Sequence, residues 1–239
     1  MADTAGSPDD DDLCHACRDW PPTFDHALAA LDYTEPWSGL IASLKFQQDT
    51  AMARVLAQLM APALRRRWQV PGPSQAPSPC RHAGAGQPPA RWKRGAPSVV
   101  LPVPLFKARL RERGYNQAWL LAHQLARQLG LPARHDVLIR QRDTPRLMTL
   151  DADERLRHIR QAFAVAPGHM NLIKGRHVAV VDDVLTTGAT VNEVASTLWR
   201  AGAREVSVWV AARTPAPKGA QDTQDANPDS RGKPGPPAS

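Results

Sequence analysis

The hydrophobic pattern is clearest between residues 178 and 210. Val178, Ala179, Val180 and Val181 form a short continuous apolar run, which fits a parallel strand buried on both faces. After a polar gap, Val191, Val194, Ala195 and Leu198 recur at i, i+3, i+4 and i+7, the period of an amphipathic helix. Gly202 is expected to close that helix, and Glu205 to Val210 reads as the next strand, which completes one βαβ unit. Upstream, Val99-Val100-Leu101 predicts another strand. Ala118, Leu121, Leu125 and Leu129 line one face of a predicted helix that Gly130 ends. Between Trp37 and Trp68 the spacing of Leu40, Ile41, Leu44, Val55, Leu56 and Leu59 predicts helices. Two stretches lack any such period. Val70 to Pro97 is rich in Pro, Gly, Ser and Ala and is expected to be a flexible insertion, and Thr214 to Ser239 a disordered tail. The pattern therefore predicts an α/β fold with a central parallel sheet flanked by helices.

Polar residues in the gaps add chemistry to this frame. Asp182 and Asp183 directly follow the apolar strand, and in an open α/β sheet the carboxyl end of a strand is where ligands sit. Thr186, Thr187, Gly188, Ala189 and Thr190 come next. Their small side chains let a backbone close on an anion while hydroxyls and N–H groups point inward, and the free amides of the following helix face the same place. Adjacent aspartates at a strand end also serve simply to cap a helix or turn. The complete run from Val178 to Thr190 instead suggests a vicinal diol beside a phosphate, the layout of ribose 5-phosphate.

A second chemical segment follows the Val99 strand. Pro102 and Pro104 predict a stiff, extended loop. Lys107, Arg109, Arg111 and Arg113 then crowd seven positions. Guanidinium forks suit phosphate oxygens, and the alternative is a solvated basic helix start. Asn116 and Gln117 are placed to cap the next helix or hold the loop.

VVDDVLTTGAT resembles the phosphoribosyl pyrophosphate (PRPP) signature of type I phosphoribosyltransferases, and the surrounding chain is similar to the ComF/GntX family. A second match runs from Leu101 to Pro132. A third joins Arg140-Gln141-Arg142-Asp143-Thr144 to Ala162-Phe163, and a fourth is PPTFDHALAALDY with LIASLKF. The resemblance implies a type I phosphoribosyltransferase fold, Rossmann-like, over residues 35–213, with a small N-terminal hood. It implies Asp182, Asp183 and the Thr186 to Thr190 loop as the ribose 5-phosphate site. It places a pyrophosphate loop at roughly Pro104 to Lys107, with Lys107, Arg109 and Arg113 on the diphosphate. Mg2+ bound with PRPP is expected near Asp182 and Asp183, and Gln141 to Arg157 as a mobile loop, disordered or open without ligand. The segment Trp37 to Trp68 is expected to contribute to the hood.

The chain departs from the family pattern in places. Leu147 stands where members often carry Gln, and His158 where they often carry Asn. Relatives commonly begin with two CxxC pairs forming a zinc ribbon, and a closed zinc site takes four ligands. Here only Cys14 and Cys17 precede PPTFD, Cys80 lies far away, and a complete site would have to recruit His26 or His82. Residues 1–34 are therefore read as a tail with a degenerate zinc-ribbon remnant, in which Cys14 and Cys17 are at most a partial zinc pair.

Composition sets outer limits. The net charge of +7 fits an anionic ligand or weak nucleic-acid affinity. No signal-peptide pattern or apolar run of spanning length is read, so a cytoplasmic protein is expected. Three cysteines argue against a disulfide framework. Two functions follow from the resemblance. One is Mg-dependent phosphoribosyl transfer to an unidentified acceptor with diphosphate release. The other is a non-catalytic PRPP sensor or single-stranded DNA accessory of the competence machinery, working with DNA-uptake proteins. At 5% aromatics the sequence offers no evident stacking platform for direct DNA binding. A homodimer is left open.

Overall fold

The computed structural model describes residues 21–47, 49–68, 95–142 and 161–215. In chain order it contains β1 (His26–Asp32), α1 (Trp37–Phe46), α2 (Ala51–Trp68), β2 (Val99–Pro102), α3 (Lys107–Arg113) and α4 (Gln117–Leu129). There follow β3 (Leu138–Arg140), β4 (Phe163–Val165), a 3-10 turn (Met170–Leu172), β5 (His177–Leu185), α5 (Ala189–Arg200) and β6 (Glu205–Arg213). Strands β1, β6, β5 and β2 lie side by side in that order, every neighbouring pair parallel. β3 and β4 form a separate antiparallel pair.

The apolar run of β5 is central because both its faces are covered. Ala179 and Val181 share one core with Val100, Trp209 and Ala211, under Leu56, Met60 and Leu64 of α2 and Leu121 and Leu125 of α4. Val178 and Val180 share the other with Leu101, Val206 and Val208, under Val191, Val194 and Leu198 of α5 and Phe163 of β4. Period-two alternation thus feeds two layers from one strand. Each fully buried leucine contributes about 2 kcal/mol. The expected βαβ unit is β5, α5 and β6, and the predicted helix ended by Gly130 is α4.

Several expected boundaries move. β5 does not stop at Val181 but runs through both aspartates, because β6 keeps it in register, with Asp182 opposite Val210 and Val184 opposite Ala212. β2 ends opposite Val181, so the aspartates extend beyond their neighbour on that side. α5 starts at Ala189, so Ala189 and Thr190 belong to its first turn rather than to the loop. The cations Lys107 to Arg113 form a seven-residue helix. Residues 21–34 are not separate from the main unit: β1 pairs with β6 as an edge strand, so the sheet begins at His26 and not after residue 35. At the end of the expected 70–97 insertion, Ala96 and Pro97 are buried, and the Gly95 carbonyl accepts from Nδ1 of buried His177. Cys14, Cys17, Cys80, His82, Leu147 and His158 lie outside the described residues, as do most of the expected mobile loop and of the tail.

Candidate functional site at the carboxyl end of strand β5

The site is built where β5 outruns β2. Asp183 is buried, and its Oδ1 takes an ion pair at 2.9 Å from Lys45 Nζ at the end of α1. Its Oδ2 is buried without a hydrogen-bond partner. A buried carboxylate oxygen left bare is costly, and such orphans need an explanation such as a missing ligand. Asp182 Oδ1 accepts the backbone N–H of Asp183 at 2.9 Å. Burial, then the neighbouring Asp183 charge, push the Asp182 carboxyl up to about 7, while Lys45 and Arg140 act to lower it. The pair is thus addressed by α1 and by β3, two elements far apart in sequence.

Beyond Leu185 the chain turns through Thr186, Thr187 and Gly188 into α5. Gly188 sits at φ +76°, a left-handed conformation that residues with a Cβ rarely adopt, and no side chain caps the helix start. The first amides of a twelve-residue helix are left facing outward with the positive end of its dipole. Thr186 and Thr187 are exposed beside them. The arrangement has what an anion requires, with a hydroxyl-accepting carboxylate at its side.

The expected diphosphate residues lie on α3. Lys107 is exposed and Arg109 partly so, and among the described residues neither pairs with an acid. Arg113 donates to Gln117 Oε1 at 2.8 Å and lies 5.7 Å over the Phe46 ring, which is 71% exposed. Gly114 ends α3 at φ +82°. Asn116 takes both roles open to it: Oδ1 caps α4 by accepting from Ala118 and Trp119, and Nδ2 donates to Val103 O at 3.0 Å. Tyr115 donates its hydroxyl to Leu44 O of α1.

Lys45 is the site residue that sequence reasoning missed. It lies within the LIASLKF segment, but a lysine ending an amphipathic helix reads as solvent-facing, and only tertiary packing brings it to Asp183. Arg140 was likewise read without a role. It stacks on Phe163 at 5.4 Å and acts on Asp182. His26 is committed elsewhere, with Nε2 3.1 Å from Glu205 and Nδ1 3.4 Å from Arg67. No group of three or more metal-binding side chains is present among the described residues, and no helix among them is long and apolar enough to cross a membrane.

Comparison with known proteins is consistent with this geometry. Residues 116–232 match the phosphoribosyl transferase domain. Competence protein F of Haemophilus influenzae is 34% identical over 200 residues, covering 84% of this chain and 78% of the relative. The chain belongs to the ComF/YhgH family. Another member, DNA utilization protein YhgH of Salmonella typhi, is 32% identical over 204 residues, with the same shares covered. Among solved structures, the glutamine PRPP amidotransferase from B. subtilis complexed with ADP and GMP resembles 50% of this chain and 23% of its own. The identity is 23% and the TM-score 0.34, a likeness too low to carry an argument. The domain match begins at Asn116, so Lys45 and the α3 cations lie before it.

Proposed function

We propose that this protein binds PRPP at the carboxyl end of β5 and, with Mg2+, transfers its phosphoribosyl group to an acceptor, releasing diphosphate. The observation that carries this reading is the bare, buried Oδ2 of Asp183 on the strand that turns into an uncapped helix start. In this reading Asp182 and Asp183 accept hydrogen bonds from the ribose hydroxyls. The loop from Thr186 to Thr190 donates to the 5-phosphate, and Lys107, Arg109 and Arg113 neutralise the leaving diphosphate. Carboxylate oxygens are ligands of the kind Mg2+ takes, and when bound the ion spreads the charge of the diphosphate. Calorimetric titration of the purified protein with PRPP, with and without Mg2+, tests the reading. Binding that requires Mg2+ supports it, and no binding by the folded protein overturns it.

A second reading is favoured by one observation that the sequence did not show. The exposed Phe46 ring lies under Arg113, on the helix that also carries exposed Lys107 and Arg111, and aromatic rings among cations hold single-stranded nucleic acid by stacking and charge. Relatives named for competence and DNA utilization point the same way. On this reading the PRPP site senses or regulates rather than turns over.

A further inference from the structure

The last turn of α1 is fastened by three consecutive residues. Leu44 accepts the Tyr115 hydroxyl at its carbonyl, Lys45 holds Asp183, and the Phe46 ring lies beneath Arg113. Lys45 is mostly buried, with its side chain 20% exposed against 5% for Asp183. Its ammonium thus occupies the one oxygen of Asp183 that has a partner, and the other oxygen is sealed from solvent. A ribose hydroxyl that pairs with Oδ1 therefore has to displace Lys45. A lysine on a flexible four-carbon stem, unlike an arginine fork, is a point charge able to change partners without matching a second geometry. The ligand that displaces it also brings a diphosphate, a denser negative charge than one carboxylate.

Resting on the reading above, we propose that Lys45 is a placeholder within the PRPP site. It neutralises Asp183 in the free protein, yields that carboxylate to the ribose hydroxyls of the incoming ligand, and then pairs with the ligand's diphosphate. The exchange makes no bond to the ligand and transfers no proton. It assigns the hood a cation that senses whether the anomeric position carries a diphosphate, so the site distinguishes PRPP from ribose 5-phosphate.

The test uses two ligands on one variant. Ribose 5-phosphate has the diol and the 5-phosphate but no diphosphate, whereas PRPP has all three. In Lys45→Met, ribose 5-phosphate is expected to bind about fivefold tighter because its competitor is gone. PRPP with Mg2+ is expected to bind about tenfold weaker because a charge-assisted contact is lost. A thermal melt of Lys45→Met that matches wild type guards against a folding defect in that variant. A merely structural lysine would weaken both ligands together, and that result overturns the placeholder. If wild type binds PRPP normally and ribose 5-phosphate is no tighter in Lys45→Met, the placeholder falls and the functional reading stands. If wild type binds neither ligand, the functional reading falls and takes this inference with it.

Discussion

The two ends of strand β5 treat buried polar groups in opposite ways. At its start, His177 is fully buried, yet both ring nitrogens are engaged, Nδ1 with Gly95 O at 2.5 Å and Nε2 with Ser207 Oγ at 2.6 Å. Nδ1 faces a carbonyl and so donates, and burial pushes the histidine's pKa down, which favours the neutral ring with Nε2 accepting from Ser207. At the other end, Asp183 is almost as buried, but one of its two carboxylate oxygens has no partner. Trp209 also leaves its indole Nε1 buried and unpartnered, though a neutral N–H is less costly to strand than an ionised carboxylate oxygen. The first network closes within the chain, and the second leaves one acceptor open. The same strand does both because one end is roofed by residues 95–98 and the other outruns its neighbour β2.

The comparison can be broken most sharply at Asp183. Asp183→Asn is expected to lower PRPP affinity at least about a hundredfold, since it removes the charge that hydroxyl donors and Lys45 meet. The melting temperature should stay near that of wild type. Calorimetry and a thermal melt on the same preparation check both halves, and unchanged PRPP affinity would remove Asp183 from the site. His177→Ala should do the reverse. It strands Ser207 and Gly95 and opens a cavity, so stability is expected to fall by about 3 kcal/mol in urea unfolding, with PRPP affinity little altered in the fraction that remains folded.

The smallest effect is in pH. The Asp182 carboxyl is raised in the folded chain from 3.8 to about 7, so between those values the folded state holds more protons than the unfolded one. Stability contributed by this group is therefore present below about pH 4 and declines as pH rises towards 7. His177 is lowered from 6.5. Below that value the unfolded state binds more protons, and the histidine's contribution declines as pH falls. Asp182→Asn should thus flatten the loss between pH 4 and 7 and leave the acid-side loss in place. Urea midpoints across pH 4 to 8 for wild type and variant read this directly, and identical profiles would detach Asp182 from the effect.

Much of this was legible in the chain. The thirteen residues from Val178 to Thr190 predicted strand, carboxylates, turn and helix in the right order, because each depends on local chemistry: apolar runs seek burial, and glycine turns into a helix start. The boundaries were less legible. Nothing in Asp182 or Asp183 favours a strand, and β5 continues through them only because β6 pairs with it residue by residue. β1 was likewise separated from the sheet it joins, since its partner lies about 180 residues later and no local signal marks such a pairing.

Neighbouring residues alone carried the α/β architecture, the order of strand, carboxylates, turn and helix, and the family, since periodicity and a contiguous motif are local properties. Packing of distant elements is what puts Lys45 on Asp183, brings Arg140 to act on Asp182 and leaves one carboxylate oxygen bare. Those facts depend on which surfaces of distant helices and strands pack together. Charge at a buried site is set by what packing brings within a few ångströms and by how much water it excludes.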